Sequence, residues 1–150
     1  MPLIEIKTII NADIKTCFNL ARDIDFHQKS LKHTSEKAIA GRTSGLIELG
    51  ESVTWEAKHF GITQRLTSKI TEFSSPVYFV DEQVSGVFHS FRHEHIFNTI
   101  AVDKTEMIDR FNYKSPLGVL GKFADGLFLS NYMKNLLSIR ANLLKEEAEI

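Results

Sequence analysis

Hydrophobic and polar positions alternate with a period of two over most of the chain and change to a helical spacing twice, once after the first strand and once toward the end. A period of two places successive side chains on opposite faces of a strand, whereas recurrence at three and four residues marks one face of a helix. Leu3 to Ile10 alternates loosely and is rich in β-branched residues, which predicts a first strand. Asn11 follows as an N-cap, and Ile14, Cys17, Phe18 and Ala21 recur at helical spacing through about Arg22. A second short helix is predicted over Asp25 to Leu31. Between residues 33 and 50 the pattern is poor: Glu36 to Ala40 reads as a strand, and Gly41 to Gly50 carries three glycines around a short apolar patch.

From Glu51 the alternation is clear. Val53, Trp55, Ala57 and His59 share one face, and beyond Gly61 the series Ile62, Gln64, Leu66, Ser68 and Ile70 continues it. A two-residue connection at Phe60 and Gly61 would set His59 opposite Ile62 and Trp55 opposite Leu66, so that both inner faces agree. Val77 to Val84 is a further strand after Pro76. Its inward face stays open, because a two-residue turn at Ser85 and Gly86 would direct Val84, Glu82 and Val80 inward, and a three-residue turn ending at Gly86 would direct Gln83, Asp81 and Phe79 inward. Val87 to Phe97 then sets Val87, His89, Phe91, His93, His95 and Phe97 on one face, with Arg92 and Glu94 turned to water. Lys104 to Tyr113 is the last strand, with Thr105, Met107, Asp109, Phe111 and Tyr113 on its more apolar side.

After Pro116 the pattern is that of one long amphipathic helix, with Leu120, Phe123, Leu127, Met133, Leu136, Leu137, Leu143 and Leu144 among charged and polar residues. Gly118, Gly121 and Gly126 fall in its first turns, where they read equally as a bent entry or as close backbone packing. The order of elements predicts an α+β domain of consecutive antiparallel hairpins closed by a terminal helix. At 150 residues the chain fits one domain spanning 1–150, able to take roughly 70% of its unfolded surface out of water.

Composition sharpens this picture at a few points. Eleven Phe against one Trp and three Tyr make the aromatic content strongly apolar. Eighteen basic residues against nineteen acidic ones give a net charge of −1, which offers no field for a polyanion, so nucleic acid is not expected as a partner. Cys17 is the sole cysteine and reads as buried filler. The start MPLIEIKTII lacks the character of a secretory signal, no stretch approaches the roughly 20 apolar residues of a membrane span, and a cytoplasmic location is the expectation.

His93 and His95 carry the candidate chemistry, because imidazoles directed inward among Phe91 and Phe97 are not what an apolar core requires. Two histidines at i and i+2 converge on one metal ion or one small molecule. The further ligands that a metal needs are not legible, Thr99 and Ile100 standing where a cupin-like pattern would place a glutamate, so polar lining of a cavity is expected, with no metal and no cofactor. Preserved inward faces put Asp109 opposite His93 or His95, which makes either an acid/base pair or a satisfied buried contact. Trp55, His59 and Tyr113 share the inner face, with Tyr113 expected at a cavity rim. No nucleophile elbow or glycine-rich phosphate loop is present.

ESVTWEAKHFG at Glu51 to Gly61, FVDEQVSGVF at Phe79 to Phe88, RHEHIF at Arg92 to Phe97 and DRFNYKSPLG at Asp109 to Gly118 resemble the SRPBCC branch of the START-like, helix-grip superfamily, which includes lipid-transfer domains, plant pathogenesis-related allergens and polyketide cyclases or dehydratases. The resemblance implies a curved seven-stranded antiparallel sheet gripping the C-terminal helix, with an apolar cavity between them. It implies a carrier or sensor of a lipid-like or polycyclic molecule, lined by Trp55, His59, Leu66, Phe91, His93, His95, Phe97, Asp109 and Tyr113, with Leu120, Phe123 and Leu127 as a lid. The alternatives are a cyclase- or dehydratase-type enzyme using His93, His95 and Asp109, and an interaction module with a filled core.

Overall fold

The computed structural model describes residues 3–59, 61–114 and 127–150. The strands are β1 (Leu3–Ile10), β2 (Lys37–Gly41), β3 (Ser52–His59), β4 (Ile62–Ser74), β5 (Tyr78–Ser85), β6 (Ser90–Ala101) and β7 (Lys104–Lys114). The helices are α1 (Ile14–Ala21), α2 (Ile24–Ser30) and the terminal α3 (Leu127–Ala148), with a short 3₁₀ turn at Lys32–Thr34. All seven strands form one antiparallel sheet in the order β1-β7-β6-β5-β4-β3-β2. This is the expected α+β architecture, with hairpins in chain order and β1 returning to the far edge beside β7.

Short side-chain caps set the two small helices. Asp13, not Asn11, is the N-cap of α1, its carboxylate accepting from the Thr16 backbone N–H, and Asp23 caps α2 through the N–H groups of Asp25 and Phe26. An aspartate two residues later in the chain accepts the orphan N–H groups of the first turn equally well, and the β-region backbone at Asp13 makes it the boundary. The Asn11 backbone instead donates to Glu149 Oε2 at 2.7 Å, tying the end of β1 to the end of the chain. Phe18 of α1 is fully buried and meets Phe73, Phe79 and Phe97 edge-on at 5.4–5.5 Å.

Register follows the alternation closely in the best-patterned hairpins. His59 pairs with Ile62 and Trp55 with Leu66, and Phe91 pairs with Tyr113, His93 with Phe111 and His95 with Asp109. In β4 a bulge between Ile70 and Glu72 changes the parity. It turns Glu72 out to the ion pairs of Arg92 with Glu72, Glu82 and Glu94, and it brings Phe73 in against Phe18. The face of β5 is settled: Asp81 lies opposite Ile70 and His93, and Phe79 opposite Phe73 and His95, so Phe79, Asp81 and Gln83 look inward. The β5–β6 connection is longer than either turn considered above, running from Gly86 to His89. Gln83 closes it, donating to the Phe88 carbonyl at 2.8 Å and accepting from the Phe88 N–H at 3.2 Å. The strand predicted from Val87 therefore starts at Ser90, and His89 is exposed rather than inward.

Helix α3 packs along the inner face of the sheet, chiefly on β1 and α1. Leu144 and Ala141 join the core around Phe18, while Leu129 and Leu137 join a second cluster with Ile4, Phe91, Phe111 and Tyr113. Buried Arg140 donates to the Ala21 carbonyl at 2.8 Å, where a cation also complements the C-terminal end of α1.

Candidate functional site

Between the two core clusters the sheet and α3 stand apart, leaving a cavity of about 530 Å³. Its apolar walls come from Trp55, Ala57 and Leu66 of β3 and β4, from Phe91 and Phe111 of β6 and β7, from Val87 and Phe88 of the connecting loop, and from Leu129, Met133, Leu136 and Leu137 of α3. Inward-facing strand positions and one side of a helix supply this lining automatically, because both would otherwise form a continuous core.

One end of the cavity is polar. His93 and His95 stack at 3.8 Å between centroids and 25° between planes, and Phe79 covers the other face of His95 at 4.1 Å. Asp109 lies behind both rings, with Oδ1 3.0 Å from His93 Nε2 and 3.5 Å from His95 Nδ1. Asp81 stands on the opposite side, with Oδ2 3.3 Å from His95 Nε2. Arg140 of α3 also lines this end.

Charges in this cluster are strongly redistributed. Burial alone would raise the Asp109 carboxyl, but hydrogen bonds and charge from His93 and His95 outweigh it and hold the carboxyl far below its usual value. Asp81 is also lowered, as the hydrogen bond from His95 and the charges of His95, His93 and Arg140 overcome its burial. His95 is raised because the two carboxylates outweigh its desolvation. His93 is lowered, first by burial and then by the imidazolium beside it. An ionised Asp109 only accepts, so neutral His93 donates through Nε2 and keeps a lone pair on Nδ1.

A second polar group occupies another part of the lining. His27 Nε2 and Glu36 Oε1 pair at 2.6 Å, the His27 ring stacks on Trp55 at 4.3 Å, and a 2.6 Å hydrogen bond joins His59 Nδ1 to the Tyr132 hydroxyl. Burial holds His59 below the ordinary histidine value and Tyr132 above the ordinary tyrosine value.

Of the candidate residues, Trp55, His59, Leu66, Phe91, His93 and His95 line the cavity. Asp109 and Phe97 are buried behind its wall, and the Asp109 carboxylate acts there through the histidines. Tyr113 is not at a rim. Phe88 folds from the β5–β6 connection to 5.4 Å from its ring, and Tyr113 is completely buried. Leu120 and Phe123, like Gly118, Gly121 and Gly126, lie outside the described residues, as does the side chain of Leu127. The sequence reading left Asp81 open between two turn lengths and missed Arg140, Tyr132 and the His27–Glu36 pair as lining. The helix period of α3 carried a signal for Arg140, which falls at i+4 from Leu136 among the inward leucines.

No protein-family model matches the sequence and no curated protein is similar to it. Solved structures are similar in fold at low identity. A START superfamily protein from Mycobacterium smegmatis superposes with a TM-score of 0.76 at 11% identity, over 98% of this chain and 97% of the other. The major latex-like protein 151 of Panax ginseng gives 0.68 at 13% identity, over 98% and 97%. The Zhui aromatase/cyclase of a Streptomyces species gives 0.73 at 15%, over 99% and 93%. Seven antiparallel strands closed on a terminal helix, with near-complete mutual coverage of these structures, establish that this chain has the START-like helix-grip fold.

Proposed function

We propose that the chain is a single ligand-binding domain over 1–150 that holds a hydrophobic small molecule, lipid-like or polycyclic, between the sheet and α3, as a carrier or sensor. The observation that carries this reading is the 530 Å³ cavity itself. Its size lies within the roughly 300–1,000 Å³ of small-molecule pockets, and its aromatic and aliphatic walls carry polar side chains from separate elements. Trp55, Leu66, Phe91 and Phe111 contact the apolar body, while His93 and Asp81 meet a polar substituent.

Native mass spectrometry of the purified chain, with titration of fatty acids, sterols and polycyclic aromatics followed by Trp55 emission, tests the proposal. A saturable change for at least one class, weakened by Leu66→Arg, is the expected result. If every class leaves the emission and the melting temperature unmoved, the proposal fails.

The buried His93–Asp109 contact supports a second reading, a cyclase- or dehydratase-type enzyme in which His93 Nδ1 accepts a proton beside a substrate carbonyl while the walls exclude water. Here His93→Gln would remove turnover while the apolar walls still hold the ligand, weakened by no more than the lost polar contact. Unchanged turnover in that variant removes His93 as the acid/base group, and absence of turnover in the wild-type chain ends the enzyme reading and leaves the carrier standing.

A further inference from the structure

Two histidines on one strand supply two metal ligands, and the fold supplies the third. One ligand atom from each of Asp81, His93 and His95 lies within 4.8 Å of the others. Asp81 comes from β5 and the histidines from β6, and the register that pairs Asp81 with His93 sets them side by side. Among the described residues this is the group with such convergence.

The arrangement behind the rings is the second observation. Asp109 Oδ1 faces both His93 Nε2 at 3.0 Å and His95 Nδ1 at 3.5 Å, so one buried carboxylate orients both imidazoles from the side away from Asp81. Histidines that bind metal almost always donate their other ring N–H to such an acceptor, which fixes tautomer and orientation. With those nitrogens turned to Asp109, the ones left toward Asp81 are His93 Nδ1 and His95 Nε2. His95 Nδ1 is buried without a hydrogen bond of normal length, a contact that a small ring rotation toward Asp109 closes. Asp81 and Asp109 around neutral imidazoles bring two negative charges, which Arg140 at this end of the cavity offsets in part, and the negative charge that remains favours a bound cation over an empty buried site.

From this geometry we infer that His93 Nδ1, His95 Nε2 and an Asp81 carboxylate oxygen form a binding site for one divalent transition-metal ion, with Asp109 as the positioning residue behind them. Two imidazoles and one carboxylate suit zinc or ferrous iron and leave coordination positions open. His93, His95 and Asp81 all line the cavity, so an open position faces it and takes an oxygen of the bound molecule. This last step rests on the ligand-binding reading; metal binding itself does not. Metal ligation at His93 Nδ1 also excludes that atom as a proton acceptor, so the site and the acid/base reading are alternatives.

The test uses the full chain after chelator treatment, with no organic ligand added. Co²⁺ is titrated with visible absorption as the readout, and Zn²⁺ by calorimetry. The expected result is one equivalent per chain, the absorption bands of a low-coordinate Co²⁺ ion, and movement of the His93 and His95 ring resonances with Zn²⁺. Asp81→Asn and His93→Gln should abolish this binding, and Asp109→Asn should weaken it by roughly 10- to 100-fold, with folding of each variant checked by circular dichroism. Absence of saturable binding to the wild-type chain overturns the inference, as does one-equivalent binding that survives in folded Asp81→Asn or leaves the two ring resonances unmoved. Apolar-ligand binding by the chelated protein is measured separately, so either claim can fail alone.

Discussion

Asp109 is 3% exposed beneath two imidazoles, and the three groups titrate as one unit. In the metal-free protein the pair should take up one proton above the ordinary histidine value of 6.5, centred on His95, and the second below it, centred on His93. The signs for stability follow from the directions. The raised His95 stabilises the fold at pH values below 6.5, and that contribution is lost as pH rises through its folded value. The lowered His93 makes the fold lose stability as pH drops below 6.5, because the unfolded chain binds that proton more readily. The lowered Asp81 and Asp109 stabilise above 3.8, and their contribution disappears as pH falls further. Proton NMR of the ring resonances after chelation should show the two titrations split to either side of 6.5, and Asp81→Asn should narrow the split by withdrawing one carboxylate from His95. Both rings titrating together like free imidazole would sink this account. Asp109→Asn removes the buried carboxylate that His93 bonds and one of the two counter-charges of His95, and should cost about 3 kcal/mol in urea unfolding. The same change at Asp81, whose side chain is 22% exposed, should cost less. Asp109 was legible in the sequence, because a short β6–β7 connection between two alternating strands leaves few registers. Asp81 was not. Its face depends on a connection whose length is set by the Gln83 side chain bonding the Phe88 backbone, and Phe79 and Val80 are both buried, so hydrophobicity along β5 gives no parity.

At the scale of elements, the glycines around β2 separate conformational strain from contact. Gly41 and Gly50 both hold left-handed backbone, at φ of +74° and +81°. A Cβ on Gly41 would stand 2.3 Å from the Ser52 carbonyl oxygen across the β2–β3 ladder, whereas a Cβ on Gly50 meets nothing within 4 Å. Gly50→Ala should therefore cost about 1 kcal/mol for the backbone alone, and Gly41→Ala on the order of 3 kcal/mol once the clash is added. Urea midpoints of the two variants measure the difference; equal losses would mean that the β2–β3 pair relaxes away from the contact. The three glycines between residues 41 and 50 marked this stretch as irregular, but which of them borders another strand is a property of pairing. Pairing also explains the misplaced Tyr113. A strand end looks like a rim in one dimension, yet the loop of the neighbouring hairpin carries Phe88 across it.

The whole molecule divides its interior between packed clusters and a cavity, and that division makes a ligand a stability term. The core around Phe18 joins α1, the sheet and the C-terminal half of α3, and the cluster around Phe91 and Phe111 joins the sheet to the N-terminal half of α3. A molecule filling the space between them adds contacts that the folded state alone offers and the unfolded chain cannot reproduce. At a free concentration 100 times its dissociation constant, such a ligand should add about 2.7 kcal/mol, which for a chain of this length raises the melting temperature by roughly 5–10 °C. Trp55, the single tryptophan, is 7% exposed and stacked on His27 beside the cavity, so its emission reports occupancy without a label. Ala57 also lines the space. Replacing it by leucine removes cavity volume while adding apolar contact, so Ala57→Leu should keep or raise the stability of the ligand-free protein and reduce both the ligand-induced melting shift and the Trp55 response. A ligand that stabilised the chain by coating its exposed apolar side chains would give the same shift in both proteins. Retention of the full shift in Ala57→Leu would thus place the bound molecule elsewhere on the fold.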